Sequence, residues 1–123
     1  MRHVLEPRGF DVAEAKNGRE GIALLEKREF AAIVLDLRMP GGSGEFVIQW
    51  ILANQIHLRS RVLVVTGDLL SPGLDVFLNK VEVPMLPKPY LLAQLIEAVE
   101  RIVAVQGYAQ PGRDTVLSTA RRV

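Results

Sequence analysis

Ten residues constrain this chain more than any others: Ala31-Ala32-Ile33-Val34-Leu35-Asp36-Leu37-Arg38-Met39-Pro40. An unbroken apolar run ends on a single carboxylate, and Pro40-Gly41-Gly42 stops it. A short apolar run bounded by turn residues fits a strand buried on both faces, as in parallel sheets. A buried helical segment could show the same run, but the stretch is short for one. Asp36 would then stand at the carboxyl end of a central strand, the edge at which open α/β sheets bind ligands. On spacing alone, a carboxylate there caps the next loop as readily as it does chemistry.

The flanking segments alternate in kind. Met1 to Arg8 fits the last two turns of a helix, ended by Pro7 and Gly9. Phe10 to Ala15 alternates apolar and polar residues, the period of a strand with one wetter face. Asn17 and Glu20 predict a capped helix start, with Ile22, Ala23, Leu24 and Leu25 as its stripe. Ser43 is a candidate cap for a helix to about Gln55, with Phe46, Val47, Trp50 and Ile51 on one face. Arg61 to Asp68 repeats the pattern of the Asp36 strand: Val62 to Val65, then Thr66 and Gly67. Ser71-Pro72 opens a short helix through Leu74, Phe77, Leu78 and Val81. Pro84-Met85-Leu86 is expected as a further buried strand, ending in Pro87-Lys88-Pro89. A helix from Leu91 to about Val105 turns Leu92, Leu95, Ile96, Val99, Ile102 and Val103 inward.

Alternating strands and helices predict a parallel sheet with helices on both faces. The expected boundaries are a domain over residues 1–106 and a flexible tail or linker over 107–123, where Gly107, Pro111 and Gly112 break structure. Within that tail only Thr115 to Thr119 has strand propensity. The formal net charge of +1 implies neither nucleic acid nor a membrane surface as partner. With no cysteine, disulfides and thiol chemistry are excluded, and a cytoplasmic setting is expected. His3 and His57 have no metal-ligand spacing.

Parallel strands share one carboxyl edge, so Asp36, Thr66 and Lys88 should meet there. A carboxylate can attack a phosphoryl group and form an acyl phosphate. The transferring group is negatively charged and needs a cation and donors around it. Lys88 would supply the charge, Thr66 a hydroxyl, and Gly67 room for close backbone approach.

Three segments carry a resemblance: Leu35-Asp36-Leu37-Arg38-Met39-Pro40, Val64-Val65-Thr66-Gly67 and Pro87-Lys88-Pro89-Tyr90. In these the chain, from residue 1 to about 105, resembles a response regulator receiver domain of two-component signalling. The resemblance implies a flavodoxin-like doubly wound parallel sheet. It implies that Asp36 accepts phosphate from a histidine kinase or phosphotransfer domain, and that Thr66 and Gly67 bind the phosphoryl group. Lys88 would pair with carboxylate and phosphate, and the Arg38 carbonyl would join Asp36 as a magnesium ligand. Residues 61–92 resemble receivers attached to hybrid sensor kinases.

Two departures follow from the same resemblance. Family receivers open with a strand ending in an acidic pair, and this chain begins partway through the helix that comes next. The truncation should leave a hole between the Phe10 and Asp36 strands, with backbone groups unpaired on both sides. Four outcomes are open: a longer protein with another start, direct pairing of the two strands, a second chain filling the gap as a homodimer, or insertion of Thr115 to Thr119. For the chain as it stands, dimerisation or rearrangement is expected. Without the acidic pair, magnesium should bind weakly or not at all. The second departure is Met85, which stands where many members carry an aromatic switch residue.

The expected function is therefore that of a phosphoacceptor signalling domain, with no more enzymatic activity than slow loss of its own phosphate. The alternative is a degenerate pseudo-receiver acting as an interaction or dimerisation module without phosphate. A nucleotide-binding enzyme ranks last, since no Gly-x-Gly-x-x-Gly or Walker sequence is present.

Overall fold

The computed structural model describes residues 2–36, 44–66, 74–105 and 115–119. In chain order these form α1 (Arg2–Leu5), a 3₁₀ turn (Glu6–Arg8), β1 (Asp11–Glu14), α2 (Gly18–Lys27), β2 (Ala32–Asp36) and α3 (Gly44–Asn54). There follow a second 3₁₀ turn (Ile56–Arg61), β3 (Val62–Thr66), α4 (Leu74–Val81), β4 (Met85–Pro87), α5 (Leu92–Val105) and β5 (Thr115–Ser118). Local signals explain most boundaries. Gly9 ends the first turn at φ 93°, a left-handed conformation that glycine adopts without strain. Asn17 accepts the Glu20 amide at 2.8 Å and so caps α2. Glu20 reaches back to the amide of Lys16 at 3.3 Å, one residue before the cap. Ser43, Ser71 and Pro72, the other expected helix openers, lie outside the described residues.

The strands form one five-stranded sheet in the order β1-β5-β2-β3-β4, and every pairing is parallel. Successive residues of each inner strand point to opposite faces. Ile33 and Leu35 of β2, Val62 and Val64 of β3 and Leu117 of β5 face a core closed by Leu25 of α2, Val47, Ile48 and Ile51 of α3, and Val81 of α4. Ala32 and Val34, Leu63 and Val65, and Val116 face the opposite core, closed by Leu5 of α1 and Leu95, Val99, Ile102 and Val103 of α5. The sheet is thus covered on both sides, which is why its central strands carry no polar alternation. Trp50 packs against the first of these cores.

The hole expected between β1 and β2 is filled from within the chain. β5 sits there, pairing Asp11 to Glu14 with Thr115 to Ser118 on one side and Ala32 to Val34 with Val116 to Ser118 on the other. The expectation of a flexible tail is therefore corrected for residues 115–119: Val116 and Leu117 are wholly buried, as is Ser118. The strand has no bulky polar side chain to keep it at the surface, and an open slot with unpaired amides on both sides rewards its insertion. Direct pairing of β1 with β2 does not occur. The edges on which the homodimer expectation rested are paired with β5.

Three smaller expectations are also corrected. The strand at Pro84 to Leu86 is an edge strand rather than a buried one, and Met85 is exposed. Phe46 is exposed, and Ile48, outside the expected face, is buried in its stead. Leu92 is exposed at the start of α5. No helix among the described residues is long and apolar enough to cross a membrane.

Candidate functional site

The register places the carboxyl ends of β2, β3 and β4 side by side. Asp36 is level with Val65, and Thr66 is level with Pro87, the residue before Lys88. Asp36 ends β2 as the one buried carboxylate among the described residues, and its side chain is 6% exposed. Lys88 follows β4 directly, flanked by Pro87 and Pro89, with the Lys88–Pro89 bond cis. Its Nζ stands 2.8 Å from Asp36 Oδ2. The lysine side chain is 38% exposed, so the ammonium remains reachable from solvent while it neutralises a carboxylate that is not.

Two further side chains belong to this environment. The phenol of Tyr90 is pushed above its ordinary value of 10.0, first by burial. The Lys88 charge pulls it down and the Asp36 charge pushes it up, so the phenol senses both members of the pair. Thr119 follows β5, is 2% exposed, and accepts the Asp36 amide on Oγ1 at 3.0 Å. Nothing in the motifs around Asp36 points to Thr119. Its signal lay in the tail, where it closes the one stretch with strand propensity.

Of the expected site residues, the fold brings together Asp36, Lys88 and the backbone of Thr66. The Thr66 hydroxyl, Gly67 and the Arg38 carbonyl lie outside the described residues. Glu14 lies 3.6 Å from Arg2 in a solvent-exposed ion pair. His57 lies beside Glu29 at 3.6 Å on the surface, and His3 is on α1.

Among the described residues, Asp36 is the one buried carboxylate at this edge, fewer hard oxygens than a divalent cation takes. Such an ion needs several hard oxygens, and carboxylates supply most of the charge. The strand beside β2 ends in two buried alcohols, Ser118 and Thr119. No group of three histidine or acidic side chains gathers among the described residues.

The pair of a buried terminal aspartate and a lysine between prolines, on a parallel sheet covered on both faces, agrees with what comparison with known proteins finds. The family model for the response regulator receiver domain matches residues 1–100. The chain belongs to the response regulator receiver domain family. A response regulator receiver protein of Anaeromyxobacter sp. strain Fw109-5 is 27% identical over 97 residues, covering 79% of this chain. The chain spans only 40% of the length of that curated relative. Among solved structures, the receiver domain of a signal transduction histidine kinase from Syntrophus aciditrophicus is similar with a TM-score of 0.77 at 24% identity, over 89% of this chain and 83% of that one. The receiver domain of a sensor histidine kinase from Pseudomonas aeruginosa PAO1 has a TM-score of 0.72 at 21% identity, over 84% of each chain. That structure holds a magnesium ion in its active site cleft. At these identities the two structures support the fold alone.

Proposed function

We propose that this receiver accepts a phosphoryl group on Asp36 from a histidine kinase or a histidine phosphotransfer domain. The observation that carries the reading is the 2.8 Å contact between Lys88 Nζ and the buried Asp36 carboxylate. A carboxylate oxygen attacks the phosphorus of a phosphohistidine, the new P–O bond forms as the P–N bond breaks, and the imidazole leaves with a proton from solvent. Lys88 then faces the new phosphoryl charge instead of the carboxylate it neutralised before. The chemistry needs no turnover by the receiver, whose own catalysis is limited to slow hydrolysis of the acyl phosphate. A cytoplasmic site accords with such a donor. Thr66 and Gly67 would contact the phosphoryl oxygens, and the Arg38 carbonyl would be a metal ligand. With one carboxylate in the donor set, magnesium binds weakly here and accelerates transfer little.

The test is phosphorylation of the whole chain by a small acyl phosphate, read by intact mass with and without magnesium. Slow labelling that gains little from magnesium is expected. Asp36→Asn should abolish it, and Lys88→Ala should slow it about 100-fold, as removal of a charged or donor group from a transferring centre does. Labelling that survives in Asp36→Asn would overturn the assignment of the acceptor. Stoichiometric labelling that requires magnesium would overturn the weak-metal part alone.

A further inference from the structure

We infer that Thr119 is a positioning residue for Asp36, fixing the backbone from which the carboxylate is presented; this rests on the phosphoacceptor reading of Asp36. The last ladder bond between β5 and β2 among the described residues runs from the Thr119 amide to the Val34 carbonyl at 3.0 Å. Two residues further along β2, the Asp36 amide turns to the Thr119 side chain and donates to Oγ1 at 3.0 Å. The Val34 carbonyl, 3.5 Å from Oγ1, is within reach of the hydroxyl proton. One side chain thus binds β2 on both sides of Leu35, at the carboxyl end of the strand.

The rotamer that does this is itself held. Thr119 is 2% exposed, and its methyl Cγ2 faces α2 at Gly21, where a built Cβ would lie 3.6 Å away. A β-branched side chain locked between a helix and a strand has little freedom at χ1. The hydroxyl is therefore preorganised for the Asp36 amide and does not swing in from solvent. Lys88 grips the same residue at the carboxylate, 2.8 Å from Oδ2. Asp36 is consequently fixed at two points, main chain by Thr119 and side chain by Lys88. Productive attack on a phosphoryl group requires such a fixed approach.

The decisive variants are Thr119→Val, which keeps the shape and loses the oxygen, and Thr119→Ser, which keeps the oxygen and loses the methyl. Two readouts on the full chain separate this inference from the assignment it rests on. The first is hydrogen exchange and the chemical shift of the Asp36 amide by NMR. Exchange should quicken about tenfold in Thr119→Val and return toward wild type in Thr119→Ser, the scale of one lost hydrogen bond. The second is the rate of labelling by a small acyl phosphate, which should fall about tenfold in Thr119→Val and recover in Thr119→Ser. An Asp36 amide equally protected in wild type and Thr119→Val would overturn the inference, whatever the labelling shows. So would equal labelling rates in a Thr119→Val chain whose Asp36 amide has lost protection. A wild-type chain that takes no label would overturn the phosphoacceptor reading, and with it the catalytic meaning of Thr119, while the amide readout would still decide the contact itself.

Discussion

β5 and β4 each lend one residue to Asp36, from opposite situations in the sheet. β5 lies between β1 and β2, with both edges paired and Val116, Leu117 and Ser118 wholly buried. β4 is the outer strand, paired only with β3, and Met85 is exposed. Thr119 after β5 is buried and touches main chain, whereas Lys88 after β4 is partly exposed and touches the carboxylate. The difference sorts architecture from chemistry. The strand that must never leave contributes an uncharged group that holds backbone, and the strand at the rim contributes the cation that an incoming ligand can reach.

The contrast is broken most severely by removing residues 114–123. Loss of a central strand opens two ladders and two cores at once, so the truncated chain should lose its cooperative thermal transition and near-UV circular dichroism. A truncated chain that melts cooperatively near the wild-type midpoint would show that β5 is dispensable. Single side chains sharpen the same comparison. Leu117→Ala should cost about 3 kcal/mol, as deletion from a sealed core does, while Met85→Ala at the exposed rim should cost under about 1 kcal/mol. Urea denaturation measures both, and equal costs would erase the distinction between the strands.

The smallest effect expected is on Tyr90, whose phenol is raised first by burial and then by the Asp36 charge, against the pull of Lys88. A raised value in the folded state favours the neutral phenol. The stability it contributes is complete below the ordinary value of 10.0 and fades as pH rises through the shifted one. Absorbance titration in a Tyr108→Phe background isolates Tyr90, because the chain has two tyrosines. Its phenolate should appear above the ordinary range, and Asp36→Asn should lower the midpoint by removing one of the causes. An Asp36→Asn midpoint equal to wild type would separate the phenol from the pair.

Most of this architecture is legible in the chain itself. The apolar runs of β2 and β3 and their terminal Asp36 and Thr66 follow from period and turn signals, because strands covered on both faces have no polar alternation to disguise them. The meeting of Lys88 with Asp36 follows too, since parallel strands share an edge. What period cannot carry is position within the sheet. Met85 and Leu86 are as apolar as a core strand yet lie at the rim. Thr115 to Ser118 is recognisable as a strand, but its insertion beside β2 is only one of four outcomes the sequence leaves open, because the choice depends on which slot the other strands leave. Thr119 shows the same limit at the site: its worth is set by a neighbour far off in sequence. Phe46 fails for a subtler reason, since Val47, Ile48 and Ile51 already close the core and its helical stripe has apolar residues to spare.

Thr119 lies 83 positions after the amide it accepts. A ribosome therefore releases β1 and β2 well before the strand that pairs with both has been made. Closing so distant a contact is slow compared with forming the helices on either side. The Asp36 amide can meet Thr119 only after residues 115–119 have been made, so full protection of that amide in a newborn chain should await the docking of β5.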